Sequence, residues 1–374
     1  MNLKIERVEV FGVGVPLNQG FKNAYSVKKI QRSAVLRLTA SGGAVGLGNI
    51  DPSPGYSSDS VEDILSALEK KLAPAVIGLD PTNIHRLHEV IDRVAPHMYY
   101  AKAAVEMACV DLTARACGIP VHTYLGGAVK DKLTFNAWIG ILTPEQAARD
   151  TLALKQKGFR SAKIKVGGGI EADRDRIKAV REAVGPEFKI RIDANCGYDA
   201  DTSIKLAHMV LPYNLQLFEQ PVPVDDIAGM ARVRRESGGT PIMADESISD
   251  HASLISVIKA EAADIVKVKI MKQGGFLPTL RMIATAEAAG IRCVLGHGFG
   301  LGVNTTAEIM LAATQANVID GLECVGPLKT TDDIITRRID MSNGTLPLPQ
   351  GLGLGCELDD EKLVKYRLQA EVTA

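Results

Sequence analysis

Paired cysteines, long apolar runs and an excess of either charge are all missing from this chain. Its six cysteines (Cys109, Cys117, Cys196, Cys293, Cys324, Cys356) are scattered, with no CxxC and no Cys/His spacing of a metal site. That pattern argues against a disulfide framework or a zinc module and reads as buried thiols of a reducing compartment. No apolar run approaches the ~20 residues of a membrane helix. The opening MNLKIERVEVFG is a charged strand without the apolar stretch of a signal peptide, so a cytoplasmic location is expected. A formal net charge of −1 gives no global pull toward nucleic acid or anionic membrane, and neither is expected as a partner. What is present is enough apolar material, 46% of 374 residues, for a large core. That length fits a (β/α)₈ barrel of about 250 residues plus a smaller partner.

The pattern along the chain changes once. KIERVEVFGVGVPL and SAVLRLTA alternate apolar and polar positions, and AVGLGNI returns after a glycine turn. Helical patterns follow up to Gly118, which makes an α+β unit. From Lys132 short apolar strands alternate with amphipathic helices: LTFNAWIGI, AKIKV, FKIRIDA, LQLFEQ, PIMADE, DIVKVKI, RCVLGH and VIDGLEC, with seven helices between them. Eight such repeats predict a parallel sheet closed into a barrel. The fold class expected is therefore α/β, a modified (β/α) barrel with an α+β capping domain. The expected boundaries are 1–128 for the cap, 129–326 for the barrel and 327–374 for a turn-rich segment returning to the cap.

The candidate chemistry lies at the strand ends of the barrel. Asp193, Glu219 and Asp245 each follow an apolar run, at intervals of 26 residues. Lys163 and Lys165 precede this series, and Lys267 and Lys269 follow it. Residues two apart on a strand share a face, so each lysine pair points one way, as do Asp193 and Asn195. Barrels place active sites at the C-terminal ends of their strands. Mg²⁺ wants oxygen ligands and keeps positions open for water or substrate. A lysine near other cations has its ammonium form disfavoured, which makes a general base. A lone Asp at a strand end is more often a helix cap, and a lone Lys a solvated residue. Acids on strands three, four and five, flanked by lysines on strands two and six, are a different matter. They suit proton abstraction from the carbon next to a carboxylate, with the enolate stabilised by a cation.

Lys163-x-Lys165, Asp193-Ala-Asn195, Glu219-Gln-Pro, Ala-Asp245-Glu246-Ser and Lys269-x-x-Lys-x-Gly-Gly resemble the signature of the enolase superfamily, in its muconate-lactonizing-enzyme subgroup. The resemblance covers nearly the whole chain. It implies that Asp193, Glu219 and Asp245 bind Mg²⁺ (or Mn²⁺), and that Lys165 and Lys269 are the acid/base pair on opposite faces of a small carboxylate substrate. Lys163 would hold the substrate carboxylate and tune Lys165. Asn195 and Glu246 fall within the same motifs as supporting residues. Glu323, in GLECVGPL, is similar to a segment of muconate cycloisomerases that reaches the active site. The alternative is a Glu that hydrogen-bonds the next loop.

The chain departs from the pattern after strand seven. Gly300 falls where many subgroup members carry an acid, and His297 stands at the strand end, either as a substrate donor or as a packed structural residue. Two turn-rich segments of the cap, LNQGFKNAYSVKKI and NIDPSPGYSSDS, are expected as loops closing over the site. Phe21, Tyr25 and Tyr56 would wall off the substrate. Lys22, Lys28 or Lys29 could attract an anion, with two of the three solvated. In this reading the barrel sets the chemistry and the cap sets the substrate, so mutations at Tyr25 or Tyr56 would leave the metal alone. The expected enzyme is an isomerase, a muconate-type cycloisomerase, and a homo-oligomer. Racemases, epimerases and dehydratases of amino-acid or hydroxy-acid derivatives share the same half-reaction. A metal-dependent hydrolase or aldolase would need His ligands at strand ends, and a binding protein on a degenerate barrel would be missing some of the five key residues.

Overall fold

Residues 3–22, 27–54 and 56–368 are described by the computed structural model. Strands Ile5–Lys22 and Val27–Ala40 pair antiparallel, and Val45–Ile50 adds a third strand beside the second. Against this sheet lies the helix Tyr99–Ala116, which is buried along almost its whole length. The approach is close enough to require glycine. A Cβ on Gly48 would stand 2.0 Å from the carbonyl oxygen of Ala104, and one on Gly46 would stand 2.1 Å from that of Ala108. The same helix reaches the barrel. Glu106, fully buried, accepts backbone N–H bonds from Phe276 and, at 2.8 Å, Leu277, at the start of the helix Phe276–Ala288. A carboxylate there satisfies orphan donors at a helix N-terminus.

The second half is a parallel sheet of seven strands in sequential order, from Ala137–Ile139 to Arg292–Leu295. Each strand is followed by a helix that packs on the outside. The helices begin on readable signals. Thr143 and Gln146 form a capping box before Pro144, Asp250 and Ser253 form another, and Asp199 and Asp226 cap their own helices. Inside the barrel the strands change character along their length. Leu217, Met243, Ile265 and Val294 pack together as an apolar layer. Two residues further along the chain stand Glu219 and Lys267, on the same face of their strands, and Asp245, just past the end of its own. The apolar layer plugs the bottom, and the charged layer above it floors the site.

The eighth expected strand is not regular. Residues 318–323 close the ring through isolated parallel bridges, Val318 to Cys293 and Leu322 to Phe135. The reason lies in Arg191, which is fully buried. Its guanidinium takes the carbonyls of Asp320 (2.7 Å) and Gly321 (2.8 Å) that a ladder would use. The first expected strand is also split. Lys132–Thr134 pairs antiparallel with Thr345–Pro347, and only Ala137–Ile139 joins the barrel. Past residue 327 the chain runs back along the cap: Leu17 bridges Thr330, Val13 bridges Arg367, and Arg37 pairs with Asp360.

Two further expectations need correction. LNQGFKNAYSVKKI is largely not a loop. Strands Ile5–Lys22 and Val27–Ala40 reach into it from either side, with Phe21 opposite Lys28, while residues 23–26 lie outside the described residues. Of the cysteines only Cys109, Cys293 and Cys324 are buried; Cys117 is exposed and Cys196 and Cys356 are half-buried. Among the described residues no helix is long and apolar enough to cross a membrane.

Candidate active site

The register of the barrel sets the acids in a row. Lys165 pairs with Asp193, and Asp193 with Glu219, on neighbouring strands. Asp245 follows the next strand, Ile242–Ala244, and Lys269 follows Ile265–Val268. All five side chains line one cleft at the C-terminal end of the barrel. Lys165 Nζ donates to Asp193 Oδ2 at 2.6 Å and to Asn195 Oδ1. Lys269 Nζ donates to Asp245 Oδ2 at 2.9 Å and to the Tyr56 hydroxyl. Lys163 reaches Glu219 (2.8 Å), Glu323 (2.5 Å) and Asp193 (3.1 Å). Lys267 reaches Glu219 (3.0 Å) and Glu323. Asn195 Nδ2 donates to Glu246 Oε1 at 2.9 Å.

Burial and charge act against each other here. Burial disfavours the Lys163 ammonium, but Glu219, Glu323 and Asp193 together hold its pKa well above the ordinary lysine value. Lys269 goes the other way. Burial, with Lys267 and Lys272 nearby, outweighs Asp245 and lowers it to about 8. Asp245 and Glu323 are each held well below the carboxylate range by lysines that overcome burial. His297 is kept neutral by burial and by Lys269, Lys28, Lys329 and Lys267. Its Nδ1 accepts the Phe299 backbone N–H at 3.4 Å, which puts the ring proton on Nε2.

Whether a divalent cation suits this site turns on the donor set. Three carboxylates from three neighbouring strands, all lining one cleft, are the hard oxygen donors Mg²⁺ takes. Beside them Glu246 Oε2 is buried without a hydrogen-bond partner. Among the described residues no three His, Cys, Asp or Glu groups converge on one point, because each acid is closed on an ammonium. The donors fit the ion chemically, and their present partners are lysines.

Other expected residues are placed unevenly. Tyr25 lies outside the described residues, as do the side chains of Phe21 and Lys22. Lys28 is buried and lines the cleft, while Lys29 is exposed. Tyr56 donates to Asp245 Oδ1 at 2.7 Å. The expected separation between cap and acids is therefore not clean, since a cap hydroxyl touches one of the three. Glu323 points into the cleft and also holds Arg191 at 3.1 Å, so it ties the closing segment to the site. Even a Cβ on Gly300 would be tight, 3.0 Å from Thr305 Oγ1 and 3.2 Å from Asn304 Nδ2.

Lys272, the second lysine of the Lys269-x-x-Lys motif, was given no role in the sequence and donates to Asp245 Oδ1 at 2.8 Å; other residues were missed. Trp138, Phe299 and Lys329 line the cleft as well. The alternation rule could have found Trp138, whose register partner is Lys163. Nothing local marks Lys329.

A barrel rim bearing acids between lysines, under an α+β cap, defines a class of enzyme. The chain matches the mandelate racemase/muconate lactonizing enzyme N-terminal domain over residues 5–126 and the enolase C-terminal domain-like family over residues 145–362. It belongs to that family of the enolase superfamily. It is 32% identical to the N-succinyl-L-Arg/Lys racemase of Bacillus cereus, over 96% of this chain and 97% of that one. The crystal structure of that racemase superposes with a TM-score of 0.93, covering 98% of both chains at 31% identity. The dipeptide epimerase of Enterococcus faecalis, solved with Mg and L-Leu-L-Tyr, gives 0.90 at 32% identity, over 94% of this chain and 99% of that one. Muconate cycloisomerase 1 of Rhodococcus opacus is 31% identical over 96% of this chain and 97% of that one.

Proposed function

We propose that the protein is an isomerase that moves a proton at the carbon α to a substrate carboxylate. The observation that carries this is the placement of the two lysines. Lys165 ends the second strand of the ring and Lys269 follows the sixth, with the acids on the three strands between. In a ring of eight positions these two are half a turn apart, so their ammonium groups approach a bound carbon from opposite sides. Asp193 with Asn195 orients one lysine, and Asp245 with Tyr56 orients the other. One lysine removes the α-proton and the other returns a proton to the opposite face, which inverts the centre. Asp193, Glu219 and Asp245 would hold Mg²⁺ (or Mn²⁺), which supplies positive charge against the charge developing on the substrate carboxylate. Lys163 and Lys267 are pinned in the floor of the cleft by Glu219 and Glu323. The cap excludes water through Tyr56.

This reading favours racemisation or epimerisation of an N-acyl amino acid or dipeptide. Cycloisomerisation of a muconate-like diacid is the second reading, supported by the Glu323-Cys-Val-Gly-Pro-Leu segment and by the Rhodococcus relative. It needs only one of the two lysines as acid. The same reading takes the protein as a cytoplasmic homo-oligomer. The test is α-proton exchange in D₂O with Mg²⁺, over N-acyl amino acids, dipeptides and cis,cis-muconate, followed by NMR. Exchange with inversion supports the two-base reading, and lactone formation alone supports the other. Neither, across the panel, overturns both.

A further inference from the structure

The two lysines that face each other across the cleft are anchored differently at the backbone. Lys269 leads straight into the short helix Ile270–Gln273, and its N–H donates to Gln273 Oε1 at 2.7 Å. Lys165 ends the strand Ser161–Lys165 and is followed by Val166 and three glycines. Gly167 (φ 112°) and Gly169 (φ 120°) take positive φ, the region that favours glycine. The Lys165 side chain is also the more open, 15% exposed against 5% for Lys269. The most permissive stretch of backbone near the site therefore adjoins a lysine whose placement matters most, since proton transfer tolerates little displacement.

The following helix, Ile170–Val184, supplies the restraint. Asp173, in its first turn and fully buried, turns its carboxylate back onto the glycine loop. Oδ2 accepts the N–H of Gly167 at 2.9 Å, that of Gly168 at 3.2 Å, and the Tyr198 hydroxyl. Oδ1 accepts Arg176 Nη1 at 2.5 Å. The same Arg176 nitrogen donates to the carbonyl of Lys165 itself at 3.1 Å, and Arg176 Nε donates to that of Leu142 at 2.7 Å. The Tyr198 oxygen accepts Gly167 N–H as well, at 2.9 Å. Leu142 follows the first strand of the ring, the glycines follow the second and Tyr198 follows the third. Three successive loops thus meet on one Asp–Arg pair. The glycines themselves are exposed, so water could satisfy their N–H groups. What charge-assisted bonds to a buried carboxylate add is a fixed position.

We propose that Asp173, with Arg176 and Tyr198, is a positioning group for Lys165. It fixes the end of the second strand so that this ammonium meets one face of the substrate, and it plays no part on the face served by Lys269. The effect on proton exchange rests on the two-base reading above. The effect on the placement of Lys165 does not.

The test uses the full chain with Mg²⁺ and two variants. Asp173→Asn keeps the shape of the side chain but loses its charge and an acceptor, and Tyr198→Phe removes only the hydroxyl. α-Proton exchange in D₂O is read on each enantiomer of N-succinylalanine, with Lys165→Ala showing which enantiomer depends on Lys165. Exchange of that enantiomer is expected to fall roughly 10–100-fold in Asp173→Asn and roughly 3–10-fold in Tyr198→Phe. The other enantiomer should exchange at the wild-type rate. Losses shared by both enantiomers, confined to the other one, or absent overturn the proposal, and a shared loss marks the cluster as purely structural. Thermal melts establish folding; if Asp173→Asn does not fold, Tyr198→Phe decides by the same criterion. Should the wild type exchange neither enantiomer of this probe, trace acetylation of Lys165 relative to Lys269, read by mass spectrometry, decides alone. A rise in both variants leaves the positioning standing while the substrate panel decides proton transfer, and unchanged labelling overturns it.

Discussion

Lys165 and Lys269 stand at the ends of barrel strands and are gripped by carboxylates, whereas Tyr56 and Lys28 reach the same cleft from the cap. The strand-end side chains come from a sheet whose register fixes neighbours to within a residue. The cap side chains depend on how one unit sits on the other, through contacts such as Glu106 to Leu277 and Asn304 to Asp51 at 2.9 Å. A reaction common to a family needs the first kind of placement, because proton transfer tolerates little displacement. A substrate preference can use the second. Tyr56 crosses this division, because its hydroxyl serves Asp245 and Lys269 together.

The comparison can be broken most severely at the acid row. Removing Mg²⁺ with a chelator, or changing Glu219→Gln, is expected to lower α-proton exchange by roughly 10³ or more, since a metal supplies several kcal/mol. Mg²⁺ titration of the Glu219→Gln protein should show weakened binding; unchanged affinity would remove the acid row from the metal reading. Lys165→Ala and Lys269→Ala come next, with turnover down by roughly 10²–10⁴ each. Each variant should still exchange the α-proton of one enantiomer only. Near-normal racemisation by either would end its role as a base.

Tyr56→Phe sharpens the comparison from the cap side. Loss of its two hydrogen bonds should cost about 1–3 kcal/mol in kcat/KM, and the pH profile should move with it because Lys269 loses a neighbour. A change in KM alone would return Tyr56 to a simple wall.

The smallest effect lies behind the site. Burial raises the pKa of Glu308 to about 8, against 4.5 for a free side chain, and its Oε1 has no hydrogen-bond partner. Between these values the folded state binds more protons than the unfolded one, so this group costs stability as pH rises. Glu308→Gln should therefore raise Tm at pH 8 by about 2–4 °C and have little effect near pH 4. A constant offset at both pH values would show that packing, not ionisation, is being measured.

The strand–helix rhythm from Lys132 onward was legible because each element carries its own period and its own cap. Asp193, Glu219, Asp245, Lys163, Lys165 and Lys269 were legible as one set because alternation along a strand is local information. Their convergence on one cleft follows once the sheet is parallel and closed. The irregular closing segment was not legible. VIDGLEC reads as a strand, and the buried Arg191, 129 and 130 residues away from Asp320 and Gly321, takes up their carbonyls. The hairpin through Phe21 and Lys28 was hidden by turn-forming residues that the pairing overrides.

What the sequence determined by itself is thus the kind of chemistry: the types of side chain, their order on the strands and the face they share. What only the tertiary structure decided is which ammonium meets which carboxylate, and that Lys28, Phe299, Trp138 and Lys329 form one wall. Those four residues lie on the cap hairpin, the first barrel strand and the segments after strand seven and past the closure. No periodicity links them, and they become neighbours only when the ring closes and the cap docks on it.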